Sequence, residues 1–336
     1  MKLNRGIVPA LGLIAILTSS TAAQAPVSEW KLSEPCTHRN LAVFLIRGKD
    51  THPGKHLLTL QEALAQKTII VHETGSVNEL SVENVSKDAA VFIQAGDIVK
   101  GGRQDRVLAY DLIVPAQSGR VPLASFCVEA GRWKERGTES AQQFSESTGQ
   151  LPGRALRLAV SSARQQGQVW EKVKEQQDRL GRRLNKNVAD PLSPSSLQLT
   201  LEDRDLQAKV QAHVARLEKC IADKPDAIGV VIAINGNIEG ADVYGSAALF
   251  RKMWPKLIRA AAVDAIVENQ PGRKYELVEK DEIVAFLTAG SQGKPIRTEV
   301  NRGTDVLRRE NETSVSLETR DVGHKEAVIH RSYIAR

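Results

Sequence analysis

Aromatic side chains are scarce, with four Trp, four Tyr and six Phe making up 4% of 336 residues. Single-stranded nucleic acids are held largely by stacking on such rings, so that class of partner is excluded. An excess of one charge is missing as well. There are 46 Lys and Arg against 40 Asp and Glu, a formal +6, and removing Lys2 and Arg5 with a leader segment leaves +4. The basic residues are interleaved with acidic ones, as in Glu171-Lys172-Val173-Lys174-Glu175. That pattern suits a solvated helix face better than a nucleic-acid surface. Cysteine is rare and odd in number: Cys36, Cys127 and Cys220. At least one thiol is unpaired; Cys36 and Cys220 lie in loop or helix-end positions where they could bridge, and Cys127 lies inside a strand pattern. Long apolar runs are absent apart from Gly6 to Leu17. Twelve residues rise only about 18 Å as a helix, short of the roughly 30 Å hydrocarbon core. No membrane span is therefore expected in the mature chain. Also missing are H-E-x-x-H, G-x-S-x-G, C-x-x-C and the P-loop. No metal or cofactor is implied. His52 and His56 share a loop without an evident carboxylate, and His324 and His330 have no visible partner.

The N-terminus has the parts of a signal peptide. Lys2 and Arg5 precede the apolar run, and Ala23 and Ala25 supply small residues at the expected cut. Cleavage after Ala25 would leave Pro26 at the new terminus, so cleavage after Ala23 stands beside it. The expectation is an exported protein, periplasmic or extracellular, with residues 1–25 removed. No Cys sits at the cut, which argues against a lipid anchor.

The remaining pattern predicts an α+β fold. Residues 26–136 read as a β-rich sandwich or barrel-like lobe, 137–222 as a helical segment, and 223–336 as a mixed α/β lobe. In the first, Val107–Val114 and Val121–Glu129 are expected to form a hairpin across Pro115–Arg120. Thr59 with Glu62 has the form of a capping box. In the second, Gly167 is expected to divide a long helix, Ala189–Ser196 reads as a linker, and Thr200 as the next cap. In the third, Asn235-Gly236 signals a type I′ hairpin. Ser246 opens a helix that Pro255 kinks or divides, and Asp281 and Gly290 are expected to cap another helix.

Two segments concentrate hydrogen-bonding groups. In Gly96-Asp-Ile-Val-Lys-Gly-Gly-Arg-Gln-Asp-Arg106, the pair Gly101 and Gly102 permits close backbone approach, and Arg103, Gln104, Asp105 and Arg106 follow. Such a cluster could hold a phosphate or carboxylate. It could equally be a glycine turn whose charges pair internally. In Phe126-Cys-Val-Glu129-Ala-Gly-Arg132-Trp133, alternation puts Leu123, Ser125, Cys127 and Glu129 on one face. Cys127 beside Arg132 has the ingredients of a nucleophile, though a buried thiol is the stronger reading. Hairpin pairing would bring both segments to one end. The candidate ligand-binding residues are then Gly101, Gly102, Arg103, Gln104, Arg106, Arg132 and Trp133, with Asp105 and Glu129 as candidate general bases.

The strings GDIVKGGRQDRVL, CVEAGRW and GVVIAINGNIEGADVYGS, the last followed by a Trp-containing helix, are similar to a family named the ARG and Rhodanese-Phosphatase-superfamily-associated Protein domain. The resemblance runs from about residue 38 to 335. It implies, through the family's association with ADP-ribosylglycohydrolases, a place in ADP-ribose or nicotinamide-nucleotide metabolism, and it names no reaction. Two functions are consistent with these readings. One is an envelope ligand-binding or scaffolding protein for an anionic or nucleotide-like small molecule; the other is a hydrolase acting on a phosphorylated or ADP-ribose-like substrate. The oligomeric state is not set by the sequence.

Overall fold

The computed structural model describes residues 27–52, 56–145, 147, 149–162 and 165–336. The leader read at residues 1–25 lies outside these. The fold is α+β, built on three sheets with a helical middle.

The largest sheet is antiparallel throughout. In spatial order it runs Lys31–Leu32, Leu41–Arg47, Ala227–Ile234, Asn237–Tyr244, Ala327–Ala335, Ser314–Asp321, Thr304–Glu310 and Ile296–Asn301, with Cys36–His38 also on Leu41–Arg47. Leu41–Arg47 therefore lies inside a sheet otherwise made mainly of C-terminal strands. Its uninterrupted apolar run fits a strand buried on both faces. Leu41, Val43 and Leu45 pack with the helices that include Trp254 and Val210, while Ala42, Phe44 and Ile46 pack with Ile283, Leu287 and Tyr333. Asn235 and Gly236 both have positive φ, 56° and 78°, as the type I′ turn requires.

A second sheet runs Phe144–Ser145, Ile98–Gly101, Arg106–Leu108, Arg120–Cys127, Glu79–Asn84 and Ile69–Glu73. A third pairs Leu112–Val114 with Ala90–Ile93, and the latter with Leu57–Thr59. The hairpin expectation is corrected here. Arg106–Leu108 does pair with Ser125–Cys127, but the chain breaks at Ala109–Asp111 and Leu112–Val114 joins the other sheet. Asp111 sits at this break, its carboxylate accepting from the Thr319 hydroxyl and meeting His330 Nδ1.

The helices show several other local differences. Thr59 and Glu62 do form a capping box on Leu60–Ala65. The stretch expected to divide near Gly167 does form two helices, Arg154–Ser162 and Gln166–Leu184, with Gly167 in the first turn of the second rather than between them. Ser196 caps Leu197–Leu201 and Asp203 caps Arg204–Leu217, displacing Thr200, whose hydroxyl instead bonds the Ser196 and Val188 carbonyls. Ala247–Glu268 is one helix through Pro255, opened by Ser246. Lys280–Ser291 begins at Glu279 and carries Asp281 in its first turn; Gly290 is inside it because a Cβ there would lie 2.7 Å from the Tyr333 ring. Cys36 and Cys220 are joined in a disulfide with Cα atoms 6.4 Å apart, tying an edge strand to the turn after Arg204–Leu217.

Candidate functional site

Strand alternation places the two motif segments as the sequence suggests. Leu123, Ser125, Cys127 and Glu129 are buried, and Ala124 is exposed. Cys127 sits opposite Arg106 in the antiparallel register, so Glu129 and Asp105 meet just beyond the paired strands. The Asp105 amide donates to Glu129 Oε2 at 2.8 Å.

Around this meeting point the charges are spent on one another. Arg132 Nε and Nη2 donate to Glu129 at 2.6 and 2.8 Å. Arg136 Nη1 and Nη2 form a fork on Asp105 at 2.8 and 2.9 Å, and Nη1 also reaches Glu129 at 3.3 Å. The Ser196 hydroxyl donates to Asp105 Oδ2 at 2.7 Å, and the Ser193 hydroxyl donates to Glu129. Arg106 donates to the Gln104 carbonyl at 2.9 Å and to Glu73 at 3.4 Å. Asp105, Arg106, Gln104, Glu129, Arg132 and Arg136 are all buried. Burial alone would raise the Glu129 carboxyl, but the hydrogen bonds from Arg132, Ser193 and the Asp105 amide, with the Arg132 charge, hold it below its ordinary range. Arg136 is likewise pushed down by burial and more than restored by Asp105 and Glu139.

The glycine pair serves the same closure. Gly101 and Gly102 have φ of 113° and 54°. A Cβ on Gly102 would come within 2.2 Å of the Phe144 ring, so the close approach that glycine permits is taken by Phe144. The Gly101 amide donates to Asp105 at 3.0 Å and the Gly102 amide to the Gln143 carbonyl at 3.3 Å. Their carbonyls accept from Arg132 at 3.1 and 2.9 Å. What stays open is one edge: Trp133 is 43% exposed, with the Arg103 guanidinium 5.4 Å from its ring centre and Arg106 at 5.8 Å.

Cys127 is buried and free of any disulfide, with its thiol pointing at the Val77 carbonyl at 3.6 Å. Burial raises its pKa to about 11 against the pull of Arg106, so it is a thiol at neutral pH. Arg136, Ser193 and Ser196 were missed by sequence reasoning. The linker-like stretch Asp190–Ser196 carried the signal, since three serines before a helix are hydroxyl donors as well as loop formers.

A second buried polar group lies at the centre of the molecule. His330 contacts Asp111 through Nδ1 at 2.7 Å and Asp242 through Nε2 at 3.2 Å. Burial lowers His330, but the charge and hydrogen bond of Asp111, with those of Asp242, raise it to about 9, making it an imidazolium at neutral pH. Arg157 lies 3.6 Å from Asp242. Nearby Asp264 is raised to about 8 by burial and the Glu239 charge. The two cavities lining this region hold about 30 and 20 Å³, room for little more than water. The signal for these groups was a lone acid in an apolar run: Asp111 in a strand pattern and Asp264 in Ala-Ala-Val-Asp-Ala-Ile.

The spacious concavity is elsewhere. A cleft of about 670 Å³ lies beside the Asn235-Gly236 turn, walled by Thr37–Ala42 and by residues 269–278. Its charged lining residues are Arg39, Arg273, Lys274 and Glu276. Asn40 Oδ1 and Tyr275 OH, both in its lining, are buried without a hydrogen-bond partner. The Arg273 guanidinium lies 5.5 Å from the Tyr275 ring centre. A second cleft of about 740 Å³ follows the Gln166–Leu184 helix, but its cations Lys174, Arg182 and Lys186 are matched by Glu171 and Asp178, and Lys186 is held by Asp203 and Asp205.

The GGRQDR and CVEAGRW segments thus form the frame at the heart of the β-rich part of an α+β chain. The sequence profile of the ARG and Rhodanese-Phosphatase-superfamily-associated Protein domain matches residues 29–334, and the chain belongs to that family. No curated protein and no solved structure matches it. No helix among the described residues is long and apolar enough to cross a membrane.

Proposed function

We propose that this chain is an exported, non-catalytic binding protein of the cell envelope that takes a small anionic or nucleotide-like ligand. Export is supported by the leader at residues 1–25 and by the Cys36–Cys220 bond, a linkage kept mainly in oxidising compartments. Two arguments weigh against catalysis at the buried polar cluster. Asp105 and Glu129 are saturated by guanidinium and hydroxyl donors, and Glu129, held low by its donors, is a poor proton acceptor. Cys127 is a buried, protonated thiol. The cluster acts as a clasp that joins strand ends to the Ser193–Ser196 segment.

The observation that carries the binding reading is the 670 Å³ cleft with Arg39, Arg273 and Lys274, where Asn40 Oδ1 and Tyr275 OH lack partners. Its volume suits a small molecule. Buried polar atoms of this kind call for a water or a ligand, and the three cations favour a phosphate or carboxylate. Calorimetric titration of the protein with inorganic phosphate, pyrophosphate and ADP-ribose tests this. Saturable binding of at least one anion, weakened about tenfold or more in an Arg39→Ala/Arg273→Ala variant, is expected, since a hydrogen bond to a charged group contributes about 1.5–3 kcal/mol. Absence of binding to all three, or turnover of ADP-ribose, would overturn it.

A further inference from the structure

His52, Asp321 and His324 come together from distant parts of the chain. His52 Nε2 lies 3.6 Å from Asp321 Oδ2, and His324 Nδ1 lies 3.0 Å from the same oxygen. One ligand atom from each residue falls within 4.8 Å of the others. The two imidazole rings are 5.6 Å apart and set edge to face. His52 has only 8% of its surface exposed, and its Nε2 is buried without a hydrogen-bond partner.

We propose that these three side chains form a binding site for a divalent transition-metal ion of the zinc type. Imidazole nitrogen and carboxylate oxygen bind Zn²⁺ at about 2.0–2.2 Å, which puts two ligand atoms on a tetrahedral ion about 3.4 Å apart. The observed 3.0 and 3.6 Å bracket that spacing. Three protein ligands leave a fourth position, and His324, 58% exposed at its side chain, places that position towards solvent. The scaffold is firm on two sides. The amides of Thr51 and His52 donate to the Gly245 carbonyl at 2.8 and 2.9 Å. Asp321 ends the strand Ser314–Asp321, between Thr304 and Ala327, and His324 follows three residues later in the turn Val322–His324. The turn itself is anchored by the Val322 amide on the Gly303 carbonyl at 3.0 Å.

The site is independent of the anion cleft, which is lined by other residues. Its test is metal titration of the untagged protein after chelator treatment and dialysis, using Zn²⁺ by calorimetry and Co²⁺ by visible absorption. One ion per chain is expected, with Co²⁺ bands of a four- or five-coordinate site. His324→Ala, at an exposed position, should fold as the parent does and bind at least tenfold more weakly. Asp321→Asn should do the same, and His56→Ala, an imidazole four positions after His52 and outside the cluster, should bind like the parent. Absence of stoichiometric binding, or parental affinity in His324→Ala, would overturn the proposal; so would loss of the site in His56→Ala alone.

Discussion

Two charged regions of this molecule contrast in how their groups are used. Around Asp105 and Glu129 the buried carboxylates have found their partners within the chain, Arg132 and Arg136 together with Ser193 and Ser196 on the same oxygens, and Phe144 covers the glycines. Arg103 and Trp133 form an open edge, and Arg106 Nε and Arg136 Nε are left unpaired. Around Arg39, Arg273 and Tyr275, the side chains line an open cleft and two polar atoms have no partner. Density of polar residues in sequence therefore marked a clasp, while the open site is spread across segments more than 230 positions apart. Charges buried together stabilise one another only as a complete set.

The largest expected effect comes from opening the clasp. Glu129→Gln, or Arg136→Met, leaves a buried charge without its partner, a loss of about 3–5 kcal/mol. Thermal denaturation should show Tm lower by roughly 10 °C. A shift under about 2 °C would mean that the cluster is hydrated and available, which would dissolve the contrast.

The disulfide comes next. Cys36→Ser/Cys220→Ser removes a link between positions 184 residues apart, and about 2–5 kcal/mol of stability is expected to go with it. Because Thr37 and Arg39 of the cleft wall follow Cys36 directly, anion affinity should fall in the same variant while the clasp is left intact. Unchanged affinity, by titration well below the new Tm, would detach the disulfide from the cleft.

The effect expected at Asp264 is confined to a pH window. Its folded pKa of about 8 exceeds the ordinary 3.8. The unfolded chain gives up this proton from about pH 4 and the folded chain keeps it to about pH 8, so wild-type stability falls across that window. Asp264→Asn removes this slope. The Tm of the variant relative to wild type should rise steadily from pH 4 to pH 8 and then level off. A constant difference across that range would place the Asp264 charge in contact with solvent.

Local rules were the most legible part of the fold. The Asn235-Gly236 turn, the Thr59 capping box, Ser246 at a helix start and the alternation through Leu123 to Glu129 all depend on residues close in sequence. The same locality explains why the two motif segments were placed together, since one antiparallel register sufficed. What escaped were long-range partners. Asp111 lies at the break in a strand pattern, and its partners Thr319 and His330, which donate to its carboxylate, are some 200 residues away. Leu41–Arg47 reads as a strand of the first lobe, yet its second edge is supplied by Ala227–Ile234. His52 has no carboxylate nearby in sequence and meets Asp321 in space. The serines of the linker-like stretch gained their role only once Asp105 and Glu129 lay beneath them.

The central claim is that the clasp holds the fold and the cleft holds the ligand. Parallel calorimetric titration of ADP-ribose into wild type, Glu129→Gln and Arg39→Ala/Arg273→Ala, each well below its Tm, tests it most directly. The account predicts binding in Glu129→Gln within about threefold of wild type and a loss of tenfold or more in the cleft variant, corresponding to about 1.4 kcal/mol. Binding abolished in Glu129→Gln but retained in Arg39→Ala/Arg273→Ala would contradict it.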